Sequence, residues 1–320
     1  MSHALRVGYF SASAVLAAAA DGIFAEHGLT VSAEPVKSSA AQFRSLTAGE
    51  YDLVLTSPDN VAAYRFGSHN PIEEQLDVRI VQAVDGGLGL ALMARAGVDA
   101  PERLRGGRVG VDVPESGFAF WLYDFLAAHG LRRDTDYEVV ALGATPRRAV
   151  ALAEGRCDAT LLYGGLTIAA RSAGCVLLGR LAEHVRPYLG TVLAGSATWL
   201  DQHADEVARF CTAWQSGVDR VLDPADDAGR DALVEVTFGV TGPAAQEMRA
   251  VLHDRYEGLI RGGGIDPDAL DAVLALRSRH GRPGAVADLI AALSAAGGAV
   301  LDTGIVDPRF APRVTPAARS

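Results

Sequence analysis

Four carboxylates in this chain follow the ends of predicted strands, where side chains most often do chemistry. Asp59 comes just after the apolar run Tyr51–Thr56, Asp85 after a second such run, and Asp112 and Glu115 after a third. Two carboxylates that face each other across a cleft can act as a general acid and a general base. The spacing alone does not determine how far apart they lie, so a binding role and a catalytic role both stay open.

Polar and aromatic side chains share the strand-to-helix loops with these carboxylates and are predicted to line the same site. The candidate ligand-binding residues are Tyr9, Phe10, Ser11, Ser13, Thr56, Ser57, Asp59, Asn60, Arg65, Asp85, Asp112, Glu115, Ser116, Phe118, Trp121 and Tyr163. Free N–H groups at helix starts suit carbonyl or anionic groups, and aromatic rings suit a flat ligand. Because the acids outnumber Arg65, the one nearby base, we expect a small neutral or cationic organic ligand, such as a nitrogen heterocycle.

A repeated segment predicts the elements that position these residues. Arg6–Leu29 reads RVGYFSASAVLAAAADGIFAEHGL, and Arg108–Leu131 reads RVGVDVPESGFAFWLYDFLAAHGL. The pattern Leu-x-x-Gly-x-x-Asp-x-x-Leu follows each copy, at Leu46–Leu55 and at Leu152–Leu161. An apolar run, a polar turn, an amphipathic stretch and a glycine are typical of strand, loop, helix and cap. The chain is therefore predicted to form two similar α/β lobes.

The order of the elements predicts how the lobes are connected. Alternating strands and helices favour mainly parallel sheets with right-handed crossovers. The chain is predicted to pass into the second lobe through Ala96–Arg105 and to return along Tyr188–Ala194. The predicted fold class is α/β, a monomeric hinged clamshell of two lobes joined by two crossing strands, with a helical C-terminal part. The predicted division is lobe 1 at 1–94 and 193–306, lobe 2 at 95–192, and a loose tail at 307–320.

Composition excludes several classes of partner. The 320 residues carry a formal net charge of −10 and no Lys/Arg cluster, so no nucleic acid is expected. Cys157, Cys175 and Cys211 are scattered, which predicts neither a disulfide framework nor a metal site, and no cofactor is expected. The apolar run Ala12–Ala20 is too short to span a bilayer, so we expect no membrane insertion. As written the chain is predicted to be cytoplasmic, and periplasmic or extracellular if a leader was removed.

The chain resembles type II periplasmic binding proteins, and among them the alkanesulfonate-binding and thiamine-pyrimidine-synthase-like family. The resemblance covers about residues 4–290. It rests on RVGYF, on the helix end GIFAEHGL, on LRGGRVGVDVPESGF at Leu104–Phe118 and on the repeated Gly-x-x-Asp. It implies a hinged two-lobed fold and a solute receptor for an ABC transporter. A membrane permease would be its partner if the protein is exported.

The resemblance also implies an enzymatic alternative, because the family has cytosolic enzymes. Ala63–Gly67 resembles the Arg-Phe-Gly segment of an aryl-sulfinate desulfinase, but the cysteine and histidine that enzyme uses are missing from the first loop and from Leu55–Asn60. The scattered cysteines do not match the iron motif of thiamine-pyrimidine synthases either. A lyase, a decarboxylase or a thiamine-precursor enzyme stays open, as does a ligand-sensing regulatory subunit. The candidate catalytic residues would be Asp59, Asp112, Glu115 and His69.

Overall fold

Two five-stranded sheets form the framework of the computed structural model, which describes residues 4–10, 13–223 and 227–312. The first sheet contains β1 (Ala4–Tyr9), β2 (Thr30–Pro35), β3 (Leu53–Thr56), β4 (Val78–Asp85) and β10 (Thr191–Ser196). The second contains β5 (Ala91–Ala94), β6 (Arg108–Val111), β7 (Glu138–Ala141), β8 (Ala159–Leu162) and β9 (Val176–Arg180). Each sheet with the helices packed on it is called a lobe below.

The two sheets have the same strand order, β2-β1-β3-β10-β4 and β7-β6-β8-β5-β9. In both, the fourth strand is the one that the chain forms on entering that sheet from the other lobe, and it runs antiparallel to its neighbours, whereas the first three strands pair in parallel. The predicted two-lobed α/β fold with two crossings is confirmed. The sheets are mixed rather than mainly parallel, because each crossing strand enters its new sheet from the opposite direction.

Helices cover both sheets and make up most of the C-terminal third. The first lobe carries α1 (Ala14–Ala18), α2 (Phe24–Glu26), α3 (Ser39–Thr47) and α4 (Pro58–Phe66). The second carries α5 (Gly117–Ala128), α6 (Thr145–Ala153), α7 (Gly165–Ser172) and α8 (Leu181–His184). The C-terminal part adds α9 (Ala197–Gln202), α10 (Ala204–Val221), α11 (Asp227–Phe238), α12 (Pro243–His253), α13 (Pro267–His280) and α14 (Pro283–Ala295).

The ends of the lobes differ from the prediction in three places. β5 was assigned to the first lobe but pairs in the second sheet, and the crossing strand predicted at Tyr188–Ala194 is β10, Thr191–Ser196, which begins before the predicted lobe boundary at 193. An apolar crossing strand shows no sign in sequence of which sheet it joins. The predicted loose tail is packed at its start, because Asp307 is buried and its N–H donates to the Ile80 carbonyl. The division into lobes itself stays a prediction, and residues 313–320 lie outside the described part.

The predicted single helix from Val15 to His27 is interrupted. A π-helical turn at Ala19–Ile23 separates α1 from α2, and within it Gly22 has a φ of 97°. A positive φ suits glycine and breaks the α-helical hydrogen-bond ladder. The second copy of the repeat, α5, runs unbroken because no glycine stands at the matching position.

Serine caps fix the start of the helices that follow the strands. The Ser38, Ser57 and Ser116 hydroxyls accept hydrogen bonds from the backbone N–H three residues on, at 3.2, 3.1 and 3.3 Å. Such caps satisfy one of the free N–H groups of a helix start and hold the loop in place. Because the capped helices follow strand ends in both lobes, their N-termini converge on the space between the sheets.

Two C-terminal helices join the lobes on either side of this space. α13 packs against α4 of the first lobe and α5 of the second, and α12 packs against α7. Leu270, Val273 and Leu274 of α13 belong to the same buried apolar cluster as Phe120 and Tyr123 of α5. Residues of the two lobes therefore share one buried apolar cluster.

Candidate functional site

A cavity of about 150 Å³ lies between the lobes, at the strand ends that the helix starts face. Of the predicted ligand-binding residues it is lined by Phe10, Ser13, Thr56, Ser57, Asn60, Asp85, Asp112, Ser116, Phe118 and Tyr163. Both lobes contribute to this set, as expected for parallel strands that end at a common cleft. Ser11, a further predicted residue, lies outside the described residues.

Two loops that the sequence interpretation missed also line the cavity. Lys37, Ser38 and Ser39 follow β2, and Gly143, Ala144, Thr145 and Arg148 follow β7. These loops occupy matching positions in the two lobes, so the repeat already contained the signal: if the first and third loops face the cleft, the second loop does as well. The crossing segments add Gly87, Leu88, Gly190 and Thr191.

Arg148 is the deeply buried cation of the cavity. Its side chain is 3% exposed and donates to the Leu161 and Gly143 carbonyls at 3.1 and 2.8 Å and to the Thr145 hydroxyl at 3.0 Å. A guanidinium has five N–H donors, and in the described residues these three neutral acceptors are its hydrogen-bond partners. Burial lowers the pKa of Arg148, and the nearby Asp112 carboxylate opposes that shift. The Arg148 guanidinium therefore offers a ligand a positive charge and further N–H donors.

Asp85 is the deeply buried carboxylate of the same cavity. It ends β4 and accepts the Gly87 N–H at 2.8 Å, and it is also hydrogen-bonded by Thr191 on the returning crossing segment. Burial raises the pKa of Asp85 to about 6, although these hydrogen bonds oppose the shift. Asp85 therefore links both crossing segments. Its ionised form costs free energy in the folded protein, because the carboxylate is buried.

Two further charged groups lie nearer the surface. Asp112, which is half-buried, accepts a hydrogen bond from the Ser116 hydroxyl at 2.6 Å. Lys37 is exposed at the rim of the first lobe. In the described part of the chain, no ion pair joins Lys37, Arg148, Asp85 or Asp112 to any partner.

Aromatic rings form one wall of the cavity. The Phe118 and Tyr163 ring centroids are 6.4 Å apart with the planes tilted, and Phe10 faces the cavity from the first lobe. Burial raises the pKa of the Tyr163 hydroxyl, which is hydrogen-bonded to Thr145. The arrangement fits a small organic body between rings, with polar groups at its ends.

Asp59 does not line the cavity, contrary to the sequence prediction. Both of its oxygens accept hydrogen bonds from Arg277 of α13, at 2.6 and 2.8 Å, and its side chain is fully buried. Gly117 of the second lobe packs directly on Asp59, since a Cβ there would lie 2.6 Å from the Asp59 Cβ. The carboxylate expected to meet a ligand instead forms a buried bidentate ion pair that helps hold α13 between the lobes.

Arg65 and Glu115 are also used elsewhere. Arg65 forms an ion pair with Asp77 at 2.5 Å and donates to the Val78 carbonyl, away from the cavity. Glu115 accepts the Arg282 backbone N–H at 3.0 Å at the junction with the C-terminal helices. Neither contact partner is close in sequence, which is why the spacing of motifs did not reveal these pairs.

The remaining predicted residues lie in the core or on the surface. Trp121 is fully buried in the shared core, and Tyr9 packs against the core of the first lobe. His69 bonds to Asp288 at 2.7 Å and its side chain is 60% exposed. Of the predicted catalytic set, His69 therefore lies at the surface, Asp59 and Glu115 act on Arg277, and Asp112 lines the cavity.

The described residues also bear on metal binding and on membrane insertion. They contain no group of three or more His, Cys, Asp or Glu side chains arranged to hold a metal ion. None of the helices in ranges 4–10, 13–223 and 227–312 is both long and apolar enough to cross a membrane.

Comparisons with known structures give neighbours of the same fold. The alkanesulfonate-binding protein SsuA from Xanthomonas axonopodis pv. citri, bound to MOPS, is 15% identical, with 97% of this chain and 96% of that chain covered and a TM-score of 0.70. The periplasmic nitrate-binding protein NrtA from Synechocystis PCC 6803 is 12% identical, with 90% and 84% covered and a TM-score of 0.73. The periplasmic aliphatic sulphonate binding protein SsuA from Escherichia coli is 16% identical, with 98% and 94% covered and a TM-score of 0.66.

Sequence comparison identifies the family. Among curated proteins none matches the chain significantly. The family profile described as NMT1/THI5 like matches residues 10–228, which is more than half of the chain. The match covers the first copy of the repeat from residue 10 onward and the whole of the second copy. The chain belongs to the NMT1/THI5-like family.

Proposed function

We propose that the protein is a small-molecule binding protein of the ABC-transporter substrate-binding type, and that its ligand is a small organic anion. The observation that carries this proposal is Arg148, a buried guanidinium that lines the interlobe cavity and has only neutral hydrogen-bond partners among the described residues. A buried cation of this kind is stabilised by a ligand anion, because charge-assisted hydrogen bonds are the strongest that a guanidinium makes.

The helix starts support an anionic ligand as well. The first residues or caps of α3, α4, α5 and α6 line the cavity, namely Ser38, Ser57, Ser116 and Thr145. A helix N-terminus carries a partial positive charge and free N–H groups, and both favour an anion. Four such helices from two lobes act on the same small volume.

This proposal replaces the neutral or cationic ligand expected from sequence. That expectation counted Asp59 among the free acids and Arg65 as the one nearby base. In the structure Asp59 is neutralised by Arg277, and Arg148 and Lys37 add two cations to the lining. The names of the neighbours, which bind alkanesulfonate, sulphonate or nitrate, support the same class of ligand.

A binding protein of this type implies a membrane permease as its partner and a location outside the inner membrane. Two neighbours are named as periplasmic proteins. For this chain, partner and location are parts of the proposal. The enzymatic alternative receives less support, since Asp59, Glu115 and His69 are each engaged by a separate partner.

The test is a calorimetric titration of wild type, Arg148→Gln and Arg147→Gln with ethanesulfonate, propionate, nitrate and, as a cation, choline. Arg147 lies on the same helical turn but is exposed, so it is the matched control. We expect wild type and Arg147→Gln to bind at least one anion equally, and Arg148→Gln to lose roughly 10- to 100-fold in affinity. Urea unfolding confirms that each variant is folded.

Two results would overturn the proposal. One is binding of choline without binding of any anion by the wild-type protein. The other is equal anion affinity of wild type and a folded Arg148→Gln variant, because the anion would then be held elsewhere.

A further inference from the structure

The Asp85 carboxylate lines the same cavity, and a purely anionic ligand would not stabilise its charge. Its side chain is 3% exposed and lines the cavity, yet its hydrogen-bond donors, Gly87 and Thr191, are neutral. Keeping a buried carboxylate ionised without a cation is costly. A ligand that carried only negative charge would raise that cost further.

The two cavity carboxylates differ in their surroundings. Burial lowers the pKa of Arg148, and the charge of the nearby Asp112 partly offsets that shift. No cation is among the groups that shift the pKa of Asp85, which are Gly87, Thr191 and burial itself. Among the residues that the structure describes, neither the Arg148 guanidinium nor the Asp85 carboxylate forms an ion pair, and both groups line the cavity.

We propose that the ligand is a zwitterion, with its anionic group at Arg148 and a protonated amine at Asp85. This inference rests on the proposed function, because it assumes the anion site. A ligand with both charges supplies each buried group with its missing partner, whereas a plain anion supplies one and opposes the other. The cavity volume of about 150 Å³ restricts such a ligand to a small amino acid-like or aminosulfonate-like molecule.

The position of Asp85 gives this contact a second consequence. Asp85 is the last residue of β4, where the chain leaves the first lobe, and it pairs in register with Thr191, where the chain returns. There is no room for a larger residue beside it, since a Cβ at Gly190 would lie 2.6 Å from the Asp85 Oδ1. An amine bound to Asp85 would therefore contact the place where the two crossing segments pair.

The experiment compares pairs of anions that differ by one amine: 2-aminoethanesulfonate with ethanesulfonate, and β-alanine with propionate. Each is titrated at about pH 8, where Asp85 is ionised, into wild type, Asp85→Asn and Asp99→Asn. Asp99→Asn is the matched control, because it removes an exposed carboxylate that does not line the cavity. We expect wild type and Asp99→Asn to prefer the amine-bearing member of a pair by at least tenfold, and Asp85→Asn to lose that preference.

The outcomes separate this inference from the proposed function. If wild type binds the amine-free anions as tightly as their amino counterparts, and Arg148→Gln weakens both, the zwitterion is wrong and the anion site stands. If wild type binds none of the four compounds, both proposals are contradicted. The comparison within wild type decides the question even if Asp85→Asn does not fold.

Discussion

Asp85→Asn is predicted to remove a pH dependence of stability that the wild-type protein owes to this one side chain. Burial raises the pKa of Asp85 from 3.8 to about 6 in the folded chain. Between these two values the folded state holds the proton more tightly than the unfolded state. Protonation of Asp85 therefore makes its full contribution to the free energy of unfolding below about pH 4, and this contribution is lost as the pH rises through about 6.

The magnitude follows from the size of the shift. A shift of about 2 pKa units corresponds to about 3 kcal/mol, of which about 2 kcal/mol is lost between pH 4.5 and pH 7.5. Asparagine cannot ionise, so the free energy of unfolding of the variant does not fall by this amount. The free energy of unfolding of Asp85→Asn minus that of wild type should rise by about 2 kcal/mol over this range.

Urea unfolding of the ligand-free proteins at the two pH values measures this difference. Taking the difference between variant and wild type removes the contributions of other carboxylates, such as Asp124 and Asp158, whose pKa values are lowered by hydrogen bonds from basic residues and the backbone. Asp112→Asn serves as a comparison, because it removes a less buried carboxylate of the cavity and its free energy of unfolding is measured at the same two pH values. A difference that stays constant from pH 4.5 to pH 7.5 would refute the reasoning about Asp85.

Two further predictions concern buried groups outside the cavity. Asp59→Ala should lower the free energy of unfolding by roughly 3–5 kcal/mol, because it leaves Arg277 buried without its partner; adding Arg277→Met should restore much of the loss. Losses that simply add in the double variant would contradict the ion pair. Burial raises the pKa of Cys157 to about 11 and that of Cys211 to about 12, so a thiol reagent at about pH 8 should label them only after unfolding. Rapid labelling of either thiol in the folded protein would show that its surroundings are open to water.

The repeat explains why much of the fold was predictable. Two copies of a strand–loop–helix pattern indicated two similar lobes, and Phe10, Ser13, Asp112 and Ser116 from the loops of these copies line the cavity. Local signals such as Ser57 before Pro58 also marked a helix start. These features depend on residues that are neighbours in sequence.

The errors involve residues far apart in sequence. Asp59 and Arg277 are separated by 218 positions, so nothing local showed that this carboxylate is neutralised. Arg148 looked like an ordinary helix residue, since its burial depends on the packing of α6 onto β8. The ligand preference was therefore inferred from an incomplete set of charges, and the structure changes it by pairing one acid and adding one buried cation.

The proposed function is tested most directly by native mass spectrometry of the protein after incubation with a metabolite extract, with Arg148→Gln and Arg147→Gln measured alongside. Under the proposed function, wild type and Arg147→Gln retain one small anionic or zwitterionic compound in about a one-to-one ratio, and Arg148→Gln does not. Retention of a compound without an anionic group would contradict it. So would consumption of a compound in large excess over protein, which would identify an enzyme.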